Sequence, residues 1–314
     1  MGGAVSAVAA RPRLGFVGVG WIGRARMEAV AADAEVAAIA DPALPDALES
    51  LDELLARELD GIVIATPSAL HAEQAIAALE AGLAVFCQKP LGRTAAETAA
   101  VVDAARRTDR LLAIDLSYRF TRAAEALRQL NLGDVHAVEL AFHNAYGPDK
   151  PWFYDAELAG GGCVIDLGTH LVDLALWLLD WPEVTGVQAR LLHRGGVAVE
   201  DYAAARLELA TGATVGLSCS WNLPAGRDCV IEAAFYGSGG GAAIRNVDGS
   251  FYDLRAERFD GTSTTVLAEP PDDWGGRAIR DWARRVAAGD RFDAEVEHAV
   301  DVALAIDRIY GRHP

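Results

Sequence analysis

Short apolar runs alternate with helix-favouring stretches through the first third of the chain. Residues 14–19, 36–40, 61–65, 84–87 and 111–116 read as strands; 24–32, 51–57, 69–81 and 95–107 read as helices. Strand and helix in alternation predict a parallel sheet. Beyond residue 118 the pattern changes. A helix at 123–130 gives way through Asn131 and Gly133 to an alternating run at 135–143, and 184–192, 202–209, 214–221 and 229–236 read as further strands with turns at 210–212 and 237–241. That predicts an antiparallel sheet with one face covered by helices. Val, Leu and Trp on both phases of those strands predict a partner on the other face, a homodimer or homotetramer formed through the open sheet. Helices at 275–288 and 294–310 close the chain, the last with an apolar period at Val296, Val300, Leu304 and Ile309. No internal repeat is present.

One stretch carries polar groups where an apolar helix is predicted. Gly160-Gly161-Gly162 leads into a helix reaching Trp177 on which Asp166, His170 and Asp173 recur at helical spacing. Asp166 and His170 would point the same way, close enough for the carboxylate to orient the imidazole as an acid–base pair. The three glycines let backbone pass close to another element or to a ligand. The same residues also read as a core helix whose histidine caps a carbonyl and whose aspartates face water.

A second motif lies in the first turn. Gly18-Val19-Gly20-Trp21-Ile22-Gly23 joins strand to helix: Gly18 permits the turn, Gly20 lets a pyrophosphate approach the backbone, and Gly23 lets helix and strand pack. Asp41 ends the second strand, where a carboxylate binds ribose hydroxyls; no Arg adjoins it to receive a 2′-phosphate, which favours NAD over NADP. A turn-forming Asp before Pro42 is the plainer reading of the same residue. Thr66, Pro67, His71, Gln88 and Lys89 fall beyond the carboxyl ends of later strands, where doubly wound sheets bind ligands.

Charge and cysteines narrow the partners. With 28 Lys and Arg against 45 Asp and Glu, a net of −17, the electrostatic footprint of a nucleic-acid binder is missing, and anionic membranes are disfavoured. Cys87, Cys163, Cys219 and Cys229 form no Cys-x-x-Cys pair and resemble neither a zinc site nor a disulfide framework, so reduced thiols in a cytoplasm are expected and no metal is implied. Residues 1–10 are small and apolar, but Arg11 and Arg13 follow rather than precede them, the wrong order for a secretory signal; a disordered leader is expected. No apolar run reaches the roughly 20 residues of a membrane span, so a soluble chain is expected.

Together, Gly18, Gly20 and Gly23, Ala65-Thr66-Pro67 with His71, Gln88-Lys89-Pro90, Tyr118-Arg119-Phe120, and Gly160–Gly162 with Asp166, Gly168, His170 and Asp173 resemble the glucose–fructose oxidoreductase and inositol dehydrogenase (Gfo/Idh/MocA) family over almost the whole chain. The resemblance implies a doubly wound Rossmann domain, 11–118, then an α+β domain, 119–314, with a large open, mainly antiparallel sheet and a last helix able to pack back on the first domain. Lys89, Asp166 and His170 would meet in the cleft between them as a catalytic trio. Two departures stand out. Gln88 replaces the family's usual Glu and cannot hold a negative charge beside Lys89. Between Asp41 and Leu51 ten residues cannot hold a crossover helix and a strand, which predicts a rudimentary third strand.

Substrate candidates lie in 144–155, which offers aromatic walls and polar groups for a polyol: Tyr146, Asp149, Lys150, Trp152, Phe153 and Tyr154, of which at least one aromatic would simply anchor the loop. Tyr118, Arg119, His143 and Asn222 join them from strand ends. The resulting expectation is an NAD-dependent dehydrogenase or reductase acting on a secondary alcohol of a sugar, sugar derivative or cyclitol. Two alternatives stay open: an enzyme with tightly held NAD and no net redox change, and a ligand sensor on the same fold.

Overall fold

The computed structural model describes residues 11–194 and 196–312; the expected leader at 1–10 lies outside them. In the first half, β1 (Arg13–Val17), α1 (Trp21–Val30), β2 (Glu35–Ala40), α2 (Leu51–Leu55), β3 (Gly61–Ile64), α3 (His71–Glu80), β4 (Ala84–Cys87), α4 (Ala95–Thr108) and β5 (Leu112–Ile114) alternate as the apolar runs predict. The strands pair in parallel in the order β2-β1-β3-β4-β5. Every residue of β3 and β4 is buried, because helices cover both faces. The shortened crossover leaves only a single parallel bridge, Ala40 to Leu48, where a further strand would pair. That is the rudimentary strand the ten-residue gap predicts.

The second half runs α5 (Arg122–Arg128), β6 (Val135–Asn144), α6 (Ala156–Ala159), a π-helical turn (Val164–Gly168), α7 (Thr169–Leu178), β7 (Val184–Leu192), β8 (Tyr202–Leu209), β9 (Thr214–Ser220), β10 (Cys229–Gly237), β11 (Gly240–Asn246), β12 (Leu254–Asp260), β13 (Ser263–Ala268), α8 (Gly276–Ala288) and α9 (His298–Ile309). The eight strands form one sheet, β13-β12-β11-β10-β6-β9-β8-β7, antiparallel except for the β6/β9 pair. β11, β12 and β13 are not among the predicted strands. β11 buries Gly241, Ala242, Ala243 and Ile244, β12 spaces its apolar residues between Arg and Glu, and β13 is an exposed edge, so none shows the run of large apolar residues that marks a strand in sequence.

Leu171, Val172, Leu174 and Leu176 of α7 pack with Val138, Leu140, Leu207, Val215 and Leu217 from the sheet's inner face. Each such side chain contributes about 1.5–3 kcal/mol by leaving water. The opposite face is not apolar on the expected scale: along β8, β9 and β6 its residues are Ala204, Arg206, Gly216, Ser218, Glu139 and Ala141, because the inward phase takes the Leu, Val and Trp. The helical run Ala156–Leu178 does have the length and composition of a membrane span, against expectation, yet 78% of its most apolar 18-residue window is buried inside the protein. The helix predicted at 160–177 is split by its glycines and by the π-turn, and that at 294–310 opens with a short 3₁₀ turn at Ala294–Glu297. α8 packs back on the first sheet, Trp282 lying 5.6 Å from the Phe86 ring.

Candidate active site

A cleft of about 690 Å³ runs from the β1–α1 turn to the start of α7. At one end Gly18 has a φ of +79°, a turn conformation open to glycine. A Cβ on Gly23 would overlap the Gly18 carbonyl oxygen, so that glycine serves packing; one on Gly20 would meet nothing within 4 Å. The space over Gly20 fits the diphosphate of a dinucleotide at the N-terminus of α1, whose first turn holds no acidic residue. Gly18, Gly20, Trp21 and Ile22 line the cleft, with Trp21 65% exposed at its rim. Asp41 also faces it, its carboxylate accepting Val19 N at 2.8 Å and Ala43 N at 2.9 Å; each oxygen keeps a lone pair for a ribose hydroxyl. Glu49 and Ser50, brought close by the short crossover, line the same end.

Thr66, Pro67, His71, Gln88 and Lys89 follow along the wall at the ends of β3 and β4. His71 ties the loops behind them together, its two ring nitrogens 2.7 and 2.8 Å from the carbonyls of Pro90 and Thr66; burial lowers its pKa. The Lys89–Pro90 peptide is cis. Gln88 donates through its amide to Asp115, a carboxylate that also takes the Arg26 Nε at 2.5 Å and the Ser117 hydroxyl. The Arg26 guanidinium, 5.0 Å from the Trp274 ring, is thereby held as a buried cation at the cleft.

Lys89 Nζ donates to Asp166 Oδ1 at 2.7 Å and to the Asp166 carbonyl at 2.6 Å, while Trp221 Nε1 donates to the other carboxylate oxygen at 3.0 Å. Asp166 therefore does not orient His170, as helical spacing predicts. It sits on the π-turn, whose extra residue per turn takes it out of α-helical register, and it faces Lys89 and Trp221. His170 Nδ1 is buried with no partner among the described residues, and its ring stands edge-on to Tyr118 at 5.0 Å and beside Phe142 at 6.4 Å. Burial first, then the charges of Lys89 and Arg26, push its pKa well below the usual histidine value. Lys89, Asp166 and His170 nonetheless line one cleft.

Of the substrate candidates, Tyr118, Trp152, Asp149, Lys150 and Phe153 line the cleft. Arg119 does not: its Nε donates to Asp173 at 2.7 Å and its guanidinium stacks 4.7 Å from Trp181. Asp173 is buried in that pair rather than poised for chemistry. Tyr146 is 52% exposed and off the wall, and Tyr154 anchors its loop, donating to the Pro148 carbonyl at 2.9 Å and packing on Trp221. His143 is bonded to Ser220 and Ser218, and Asn222, at φ 59°, accepts Gly147 N. Residues that sequence reading passed over include Arg26, Asp115, Asn144 and Trp274. Arg26 had a signal: with Gly23 and Val30 it forms the buried face of α1.

Residues 12–116 match the family model described as oxidoreductase family, NAD-binding Rossmann fold, and residues 120–243 match the GFO/IDH/MocA C-terminal domain. A putative UDP-kanosamine synthase oxidoreductase subunit of Amycolatopsis mediterranei (strain S699) is 34% identical, with 95% of each chain covered. D-xylose 1-dehydrogenase (NADP(+)) 2 of Haloferax volcanii is 30% identical over 88% of this chain and 86% of its own. Among solved structures, GenD2 from gentamicin A biosynthesis, in complex with NAD, superposes with a TM-score of 0.80 at 25% identity, covering 96% of this chain and 93% of the other.

Proposed function

The chain belongs to the GFO/IDH/MocA family of NAD(P)-binding oxidoreductases, and we propose that it moves a hydride between NAD and a secondary alcohol or ketone of a sugar, sugar derivative or cyclitol. The observation that carries this is His170, held neutral by burial and with no partner for its Nδ1 among the described residues, in the cleft that also holds the Lys89–Asp166 pair and the open space over Gly20. Bound nicotinamide supplies the hydride acceptor or donor. Gly18, Gly20, Trp21, Asp41, Thr66, Pro67 and Gln88 would hold the dinucleotide along the wall they share.

In oxidation His170 Nε2 takes the hydroxyl proton, and in reduction it returns it. Lys89 has two of its three N–H groups on Asp166, which leaves the third for the reacting oxygen, where positive charge favours a developing alkoxide. Asp166 fixes that ammonium, and Trp221 fixes Asp166. Tyr118 walls the site against His170, and Trp152 with Lys150 and Asp149 supplies the aromatic surface and hydrogen-bonding groups that suit a polyol. Asp41 with Glu49 at the same end disfavours a 2′-phosphate, supporting NAD over NADP. A homo-oligomer would join through the outward sheet face by small and charged residues rather than by the apolar contact first expected. Four buried free thiols are compatible with a cytoplasmic protein.

The test is a panel of inositols, aldoses and sugar acids offered with NAD and with NADP, followed by the near-ultraviolet absorbance of reduced nicotinamide. Turnover with NAD on a narrow group of polyols supports the reading. Silence across the panel with cofactor bound contradicts it and favours an internal redox cycle.

A further inference from the structure

The turn that carries Asp166 has no cap of its own. The four amides that lead into it, Gly162 to Ile165, are instead satisfied by two residues distant in sequence. Gly162 N and Val164 N donate to the Glu200 carboxylate at 3.0 and 2.9 Å, Cys163 N donates to the Glu200 carbonyl at 3.0 Å, and Ile165 N donates to the Tyr310 hydroxyl at 3.2 Å. Tyr310 in turn donates to Glu200 Oε1 at 2.8 Å. Glu200 is buried and forms no ion pair among the described residues, so its charge is held by amides and the hydroxyl at the start of a helical run. The glycines fit this clamp: a Cβ on Gly161 would overlap the Tyr310 hydroxyl and one on Gly162 the Glu200 carbonyl. Arg312 lies 4.3 Å from the Tyr310 ring and donates to the Arg93 carbonyl at 3.1 Å, fastening the segment to the loop after Lys89. The next residue in the chain after Ile165 is Asp166, and the residue after Glu200, Asp201, accepts Trp221 N at 2.9 Å, so both groups that hold the Asp166 carboxylate connect to the same clamp.

We infer that Glu200 and Tyr310 are positioning residues, setting where the Asp166 carboxylate meets Lys89. This rests on the reading of Lys89, Asp166 and His170 as the reacting groups. Neither clamp residue reaches the cleft; each acts through the turn.

Tyr310→Phe keeps the ring against Arg312 and removes only the hydroxyl, freeing Ile165 N and one contact of Glu200. Glu200→Gln turns an amide donor toward amides that already donate. The expected result for Tyr310→Phe is a folded protein with unchanged NAD affinity, kcat lowered roughly tenfold or more with little change in KM, and a displaced pH profile of kcat as Lys89 loses its fixed partner. Glu200→Gln loses more; if it fails to fold, Tyr310→Phe decides alone. Unchanged kcat and pH profile in folded Tyr310→Phe overturn the inference, as does a loss matched by a smaller folded fraction with the profile intact. Should the wild type turn over nothing on the panel, the functional reading fails separately. The clamp is then judged by the crystal structure of Tyr310→Phe: a Lys89–Asp166 contact opened beyond hydrogen-bond distance supports it, and an unchanged contact overturns it.

Discussion

Lys89 Nζ grips Asp166 twice, through the carboxylate at 2.7 Å and the backbone carbonyl at 2.6 Å. One side chain thus pins the end of β4 in the parallel sheet to the turn before α7 in the other half of the chain. Both side chains are about one-sixth exposed, 15% and 16%, so the pair opens on the cleft rather than being sealed in the core.

Lys89→Ala removes the proposed donor to the reacting oxygen while Asp166 keeps Trp221. Turnover is expected to fall by about 10²–10³-fold, the usual loss for a donor to a developing oxyanion. Thermal unfolding should move little, since Asp166 can then be hydrated from the cleft. Steady-state kinetics beside a melting curve checks both.

The first-turn glycines separate two roles. A Cβ on Gly20 meets nothing within 4 Å, whereas one on Gly23 collides with the Gly18 carbonyl oxygen. Gly20→Ala should melt like the wild type and bind NAD at least tenfold more weakly; Gly23→Ala should lower the melting temperature even without cofactor. Calorimetric titration and unfolding of the two variants side by side would expose an inverted order.

Acid should weaken the fold earlier than its carboxylates alone would dictate. His71 and His170 have lowered pKa values in the native protein, burial being the largest cause for each. Below the ordinary histidine value of about 6.5 the unfolded chain therefore binds more protons than the native one, and stability falls as pH falls; above it the two states bind alike and the contribution is level. Urea unfolding from pH 8 down to 5 should show a plateau and then a decline. Replacing His71 with Gln should flatten part of that decline.

Local motifs were legible in the sequence because their chemistry is local. Gly18, Gly20 and Gly23 occupy one turn, Gln88-Lys89-Pro90 one loop, and the ten-residue crossover could be counted. What the sequence hid depends on departures from regular geometry or on long-range partners. Asp166 and His170 share a face only if the backbone keeps α-helical pitch, and the π-turn at Val164–Gly168 breaks it. Arg119 looked like a ligand-binding residue because its partner Asp173 lies 54 residues on. Arg26 and Asp115 pair across 89 residues. Strands β11 to β13 lack the run of large apolar residues that reveals a strand: β11 buries mainly Gly and Ala, β12 is broken up by Arg and Glu, and β13 is exposed.

That hidden pair supplies a further test. Asp115 is buried and satisfied by Arg26, Gln88 and Ser117. Arg26→Ala strands its charge and should cost about 3–5 kcal/mol, the scale for removing one partner of a buried ion pair. Gln88→Glu restores the residue usual in the family but sets a second carboxylate against Asp115, so it should destabilise rather than improve this protein. Denaturant midpoints of both variants against wild type check the pair.

The most direct measurement is kcat and NAD affinity for His170→Ala against wild type on the substrate found by the panel. With His170 as the proton acceptor, kcat falls by about 10²–10⁴-fold while NAD affinity stays within a factor of about two, since its ring stands among Tyr118 and Phe142 rather than at the glycine turn. A His170→Ala protein that turns over at the wild-type rate would contradict the account at its centre.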